Sequence, residues 1–221
     1  MSLAKADDDD IAARAVLLPG VILGGGRASR MGGGDKGLRL LAGRPLLAHV
    51  IERMAPQLGP LAINANGDPA RLASLGLPVL SDPLPGQLGP LAGVLTAMAW
   101  AAQLGSDSVV TVATDTPFLP PDLVARLRQE AARSGSGLTM AASRDARGLE
   151  QVHPICGLWP VSLRATLERD LRAGARRVRD WAGAQGVALA VFACAGGDPF
   201  FNVNTPADLA RAEVMARSQR G

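Results

Sequence analysis

The stretch Val21-Ile22-Leu23-Gly24-Gly25-Gly26-Arg27-Ala28-Ser29-Arg30-Met31-Gly32-Gly33-Gly34-Asp35-Lys36-Gly37 decides how this chain is read. Three apolar residues run straight into a glycine-rich turn, so a strand ends in backbone that lacks Cβ atoms and lets its N–H groups come close to an anion. Arg27, Arg30 and Lys36 add positive charge to the same loop. Amide donors and cations just past a strand describe a polyphosphate site. An ordinary surface loop would need neither the cations nor the apolar run that leads into it.

Two familiar phosphate loops fail on spacing. A dinucleotide fingerprint places glycine at its first and third positions and glycine or alanine at its sixth, but Gly24 and Gly26 lead to Ser29. A P-loop needs Ser or Thr after its Gly-Lys pair, whereas Lys36 stands between Asp35 and Gly37. What remains is a longer loop with its lysine twelve residues beyond its first glycine.

Outward from the loop, short apolar runs alternate with helical patterns. Pro45 opens a helix over Leu46-Leu47-Ala48-His49-Val50-Ile51-Glu52-Arg53-Met54, whose apolar residues recur at spacings of three and four. Leu61-Ala62-Ile63-Asn64 reads as a strand, residues 68–75 as a short helix capped by Asp68 with Pro69 in its first turn, and Pro78-Val79-Leu80 as a second strand. A helix is expected over 91–104, a doubly buried strand over Ser108-Val109-Val110-Thr111-Val112-Ala113, and a helix over 123–133. Gln151-Val152-His153-Pro154-Ile155-Cys156-Gly157-Leu158-Trp159 reads as a further strand, and Thr205-Pro206 opens a last helix. This rhythm predicts an α/β fold, a three-layer α/β/α Rossmann-like arrangement with a mostly parallel central sheet. Ligands of such sheets lie beyond the carboxyl ends of the strands. The glycine loop, Asn64, Asp82 and Asp115 all follow apolar runs, so they are expected to meet along one edge.

Composition narrows the function. With 221 residues, 48% of them hydrophobic and 19% charged, the chain can bury one substantial core, and residues 15–221 are expected to form a single domain. Residues 1–14, with Asp7-Asp8-Asp9-Asp10, read as a disordered tail. A net charge of +3, 3% aromatic residues and no tyrosine supply few stacking platforms for nucleic acid, which argues against a nucleic-acid binder. No run of about 20 apolar residues can span a membrane. Cys156 and Cys194 lack CxxC spacing and a secretory leader, which suits buried thiols in the cytoplasm.

Asp115, in Ala113-Thr114-Asp115-Thr116-Pro117-Phe118, follows the buried strand directly. By itself it would be read as the cap of a turn before Pro117. Beside a polyphosphate it becomes a ligand for Mg²⁺, which takes one or two protein carboxylates and completes its shell with water and phosphate oxygens.

Leu23-Gly24-Gly25-Gly26 through Arg30-Met31-Gly32 to Asp35-Lys36-Gly37-Leu38, then Gly43-Arg44-Pro45-Leu46, resembles the signature of GT-A-like nucleotidyltransferases. Asn64-Ala65-Asn66, Asp82, Pro85-Gly86-Gln87-Leu88-Gly89-Pro90-Leu91-Ala92-Gly93, Asp115-Thr116-Pro117-Phe118 and Phe201-Asn202-Val203-Asn204-Thr205-Pro206 narrow the resemblance to the molybdenum cofactor guanylyltransferases. It covers about residues 20–216. The resemblance implies transfer of GMP from GTP to the terminal phosphate of molybdopterin, with release of pyrophosphate. It further implies that Leu23, Gly24, Gly25, Lys36, Asn64, Asp82 and Asp115 bind GTP, and that Asp115 binds Mg²⁺ as the cofactor metal. Asn202 and Asn204 are expected on the molybdopterin side, in the C-terminal half, with nucleotide held by the N-terminal half. The attacking phosphate is already an anion, so the residues with catalytic work are Lys36 and Arg30, which neutralise charge directly, and Asp115, which does so through the Mg²⁺ it is expected to bind. Gly24 replaces the family's usual alanine, and the missing methyl is expected to loosen the loop slightly.

Several readings stay open at this level. His153, before a proline in a strand, either faces the pterin or serves as a structural hydrogen-bonding residue. The basic run Gly174-Ala175-Arg176-Arg177-Val178-Arg179 either meets the acidic second substrate or forms a solvated face. Without the resemblance, Asn202 and Asn204 would read as an Asn-rich turn before a helix. A related nucleotidyltransferase using CTP or a sugar-phosphate acceptor, and a noncatalytic nucleotide-binding protein, are the other functional classes. A cofactor passed on to apoenzymes also implies transient contacts with delivery proteins.

Overall fold

Four apolar residues in a row leave a strand no solvent face, and β1 (Gly20–Leu23) is buried along its whole length. The computed structural model describes residues 17–24, 35–86, 88–194 and 197–218. The expected tail and most of the glycine loop, including candidates Gly25 and Arg30, lie outside the described residues. After β1 come a small hairpin, β2 (Leu40–Leu41) and β3 (Arg44–Pro45), then helix α1 (Leu46–Met54) and strand β4 (Leu61–Asn64). A 3-10 turn (Pro69–Leu75) leads to β5 (Val79–Leu80), α2 (Pro90–Gln103), β6 (Ser108–Ala113) and α3 (Leu123–Ser134). The second half holds β7 (Thr139–Arg144), β8 (Glu150–Pro160), α4 (Arg164–Arg172), α5 (Val178–Ala184), β9 (Ala188–Ala193) and α6 (Pro206–Ser218).

Local chemistry sets these boundaries. Asp68 accepts the Ala70 N–H at 2.9 Å and Pro69 supplies the first turn, while Gly76 ends the segment in the left-handed region at φ 69°. At the start of α6, Asp208 takes the Thr205 N–H and hydroxyl at 2.9 Å each, and the Thr205 hydroxyl accepts from the Asp208 N–H at 3.1 Å. That reciprocal pair is a capping box with aspartate in the acidic position.

The seven-stranded sheet runs β5-β4-β1-β6-β8-β7-β9, and β8 alone is antiparallel to its neighbours. Alternation along β1 sends Ile22 to one face and Val21 and Leu23 to the other. Ile22 packs with α1 and α3, whose Leu47, Val50, Met54, Leu123 and Leu127 are buried beneath it. Val21 and Leu23 meet α2, α4 and α5 through Leu91, Val94, Met98, Leu167, Leu171 and Trp181. Two helical layers therefore enclose the sheet, as the strand and helix rhythm predicts. α6, through Ala212 and Ala216, and the β2-β3 hairpin, through Leu41, close one end together with Leu46, Phe118 and Val203.

β8 is where the sheet departs from regularity. Met140 pairs with Gly157, but the next residue, Ala141, pairs with His153, so Pro154, Ile155 and Cys156 bulge out of the ladder. Proline cannot donate to a ladder, which accounts for the break at this point. A short relay pins the bulge: Trp159 Nε1 donates to Thr111 Oγ1 at 2.7 Å, and Thr111 Oγ1 donates to the Ile155 carbonyl at 2.5 Å.

Candidate active site

The carboxyl ends of β1, β4, β5 and β6 open onto one edge of the sheet, and two hydrogen-bonded clusters form there. At the first, the Lys36 ammonium lies 2.5 Å from Asp115 Oδ2 and also donates to the Asn204 side-chain oxygen. Lys36 and Asp115 retain only 13% and 18% side-chain exposure, so this pair is shielded from much of the solvent. Asp115 reaches it from the turn after β6. Its carbonyl accepts the Val203 N–H at 2.9 Å, which fastens the Asn202-Val203-Asn204 segment to the end of that strand. Asn204 is exposed and Asn202 half-buried, on either side of a fully buried Val203.

The second cluster centres on Asp82. Its Oδ1 accepts from Asn64 Nδ2 at 2.9 Å and Thr96 Oγ1 at 3.1 Å, and its Oδ2 accepts from Asn66 Nδ2 at 2.7 Å. The Asp82 N–H returns a bond to Asn66 Oδ1 at 2.9 Å. Three donors fix the carboxylate and leave part of one oxygen's accepting capacity for a ligand. Asn64, buried at the end of β4, also donates to the Leu80 carbonyl at 3.1 Å. Gly93 of α2 makes that position possible: a Cβ there would lie 2.6 Å from Asn64 Oδ1.

Arg71 joins the two clusters. Its Nε donates to Asp35 Oδ2 at 3.1 Å, and its other nitrogens donate to the backbone carbonyls of Asp68 and Asn66, the latter at 2.8 Å. Asp35 accepts the Gly37 N–H at 3.1 Å and so starts the turn that presents Lys36. Polar contacts thus run from Asn204 to Lys36, pass along the backbone to its neighbour Asp35, and continue through Arg71 and Asn66 to Asp82. Sequence reasoning missed Arg71 and Thr96. A lone arginine in a short 3-10 turn and a threonine inside an apolar helix carry no local signature of a site.

Other candidates fall differently. Leu23 is buried on the α2 side of the sheet. Gly24 donates its N–H to the Asn64 carbonyl at 2.7 Å, and a Cβ on it would stand 2.9 Å from that same oxygen. Glycine here permits a tight approach of the ends of β1 and β4. His153 is buried, shares a 2.8 Å hydrogen bond with Ser143 Oγ through Nε2, and stacks on Phe200 with ring centroids 4.4 Å apart. Burial holds its pKa below the ordinary value, partly opposed by the nearby Asp198 carboxylate. The basic run lies between α4 and α5, where Arg172 pairs with Glu168 at 2.8 Å, Arg177 with Asp180 at 3.7 Å, and Arg176 donates to the Leu171 and Ala175 carbonyls.

The donor set can be tested against Mg²⁺. Asp115 offers a hard carboxylate oxygen with the Asn204 amide oxygen at hand, and among the described residues no group of three or more His, Cys, Asp or Glu side chains could hold a metal without help. Such a set suits an ion that fills most of its octahedron with water and phosphate oxygens. Among the described residues, no helix is long and apolar enough to cross a membrane.

The family described as MobA-like NTP transferase domain matches residues 20–189. A molybdenum cofactor guanylyltransferase from Bradyrhizobium sp. (strain ORS 278) is 48% identical over 202 residues, 90% of this chain and 93% of that protein. One from Cereibacter sphaeroides is 49% identical over 198 residues, 90% of this chain and 96% of that protein. Among solved structures, molybdopterin-guanine dinucleotide biosynthesis protein A from Archaeoglobus fulgidus superposes with a TM-score of 0.66 at 24% identity, over 91% of this chain and 100% of that one. A 4-diphosphocytidyl-2C-methyl-D-erythritol synthase from Anaerococcus prevotii gives 0.67 at 11% identity, over 91% and 96%. The fold is shared by proteins named for different nucleotides, so the fold alone does not choose the base.

Proposed function

This chain belongs to the MobA-like NTP transferase family, and from that premise we propose that it transfers GMP from GTP to the terminal phosphate of molybdopterin, releasing pyrophosphate. The observation that carries this reading is the seat of the Lys36 ammonium, between a carboxylate at the donor strand ends and an amide of the 202–204 segment. A cation there would face both the triphosphate and the incoming phosphate.

An oxygen of the acceptor phosphate attacks the α-phosphorus, a new phosphoanhydride bond forms, and the bond to the β-phosphate oxygen breaks. No proton need be removed from the nucleophile. The barrier lies in bringing two anions together and in charge gathering on pyrophosphate, which fixed cations relieve. Lys36 supplies one, and Arg30, on the glycine loop, is proposed as another. Asp115 would hold Mg²⁺, which when bound supplies further neutralisation of the phosphate oxygens. Asn64 and Asp82 would hold the guanosine, with Leu23, Gly24 and Gly25 contacting the nucleotide through backbone groups. Asn202 and Asn204 would hydrogen-bond the molybdopterin. We place the reaction in the cytoplasm, in keeping with both thiols being free, and expect the product to leave through transient contacts with delivery proteins.

The test is incubation with molybdopterin, Mg²⁺ and each of the four nucleoside triphosphates, followed by mass analysis of the pterin. A guanine dinucleotide formed together with one equivalent of pyrophosphate supports the proposal. A cytosine product in equal yield, or nucleotide binding with no pterin product, overturns it.

A further inference from the structure

The segment bearing Asn202 and Asn204 has its own foundation, and that foundation is unusual for a buried place. Phe200 and Val203, which bracket Phe201 and Asn202, are 1% and 0% exposed. Val203 is anchored by the apolar cluster beneath α6 and by its N–H on the Asp115 carbonyl. Phe200 lies nearly parallel to the imidazole of His153, with 18° between the planes, and meets Phe192 edge to face at 5.2 Å. The turn into it is closed by Asp198, whose Oδ1 takes the Phe200 N–H at 2.9 Å and whose carbonyl takes the Phe201 N–H at 3.1 Å. His153 stacks on Phe200 at the edge of the three-residue bulge of β8, and its bond to Ser143, itself 3% exposed, fixes the ring's rotation. Leucine would fill the same volume, so a hydrogen-bonded imidazole here serves orientation as well as packing.

We infer that His153, oriented by Ser143, is a positioning residue for the acceptor substrate, acting through Phe200 to set the Asn202 and Asn204 side chains without touching the ligand. The inference rests on the reading that this segment binds molybdopterin. It separates the two half-sites: His153 stands on β8, with β6 and β1 between it and β4, whose Asn64 belongs to the cluster that would hold the nucleotide.

The experiment compares wild type with His153→Ala, His153→Phe and Ser143→Ala. It measures KM for molybdopterin, KM for GTP, and hydrogen exchange of the amides of residues 200–204. Losing a stacked pair in His153→Ala is expected to raise KM for molybdopterin by about fivefold to tenfold, with KM for GTP unchanged within about twofold. His153→Phe, which keeps the stack, should recover most of the loss, and Ser143→Ala should fall between. Parallel rises in both KM values, equal loss in the Phe and Ala variants, or no change in any variant would overturn the inference. If wild type makes no pterin dinucleotide, the functional reading fails and exchange still decides the positioning role. Faster exchange confined to residues 200–204 in His153→Ala supports it, and uniform or absent change refutes it. Should His153→Ala not fold, the Phe and Ser143 variants decide on the same terms.

Discussion

Lys36 and Asp115 are each held by the other in the ligand-free protein, so both are oriented before substrate arrives. Preorganised charges of this kind are typically worth about 3 kcal/mol or more, roughly a hundredfold in rate. Lys36→Ala or Asp115→Ala is expected to lower turnover by at least about that factor while the fold survives, measured as pyrophosphate release. Near-normal release from either variant would take that residue out of the mechanism. Arg71 acts one step back, through Asp35, and is partly solvated, so Arg71→Ala should raise KM for GTP by only about threefold to tenfold. Thr111 is a different kind of residue. Its hydroxyl satisfies the Trp159 indole and the Ile155 carbonyl together. Thr111→Val keeps the shape and strands both partners, with an expected stability loss of about 3 kcal/mol in urea titration. Cys156 carries no such chemistry: burial pushes its thiol up to about 12, so it stays protonated and unreactive at neutral pH.

At the scale of elements, α2 and β8 do the shaping. α2 is almost uniformly apolar, and Gly93 sits in it against Leu23 and Asn64. Replacing a helical glycine by alanine ordinarily gains about 1 kcal/mol. Here the new methyl would press on Asn64 Oδ1 and turn the amide away from Asp82. Gly93→Ala is therefore expected to weaken GTP binding by about tenfold or more with no rise in melting temperature, as read by calorimetric titration and a thermal melt. A melt several degrees higher with unchanged GTP affinity would contradict that account. β8 explains why the second half was hard to read. Its apolar stretch is visible as a strand, but its bulge is set by pairing with β7, which just precedes it and carries no strand signal of its own, and its antiparallel place beside β6 is set by a strand far earlier in the chain.

For the molecule as a whole, ligand and proton linkage give the cleanest checks. A ligand that binds only the folded state at a hundred times its Kd adds about 2.7 kcal/mol, so GTP with Mg²⁺ should raise the melting temperature by about 5 °C or more, and CTP by much less. His153 is kept neutral by burial, so its folded pKa lies below the 6.5 of the free side chain. The unfolded chain then binds the extra proton first. Stability attributable to this group is full above pH 6.5 and is lost as pH falls from there toward the folded value. Urea midpoints from pH 8 to 5 should show that decline, and His153→Phe should flatten it. The lysine of the glycine loop, the strand and helix alternation of the first half and the aspartate after the buried strand are all legible in the sequence, because local spacing and apolar periodicity dictate them. So are the cap at Asp68 and the helix start at Thr205-Pro206. Only the folded chain decided that Arg71 links the two clusters, that Thr96 helps hold Asp82, that Gly24 allows a close approach, and that His153 lies under Phe200. Those facts depend on contacts across loops and between separate elements, which a pattern of nearest neighbours along the chain does not encode.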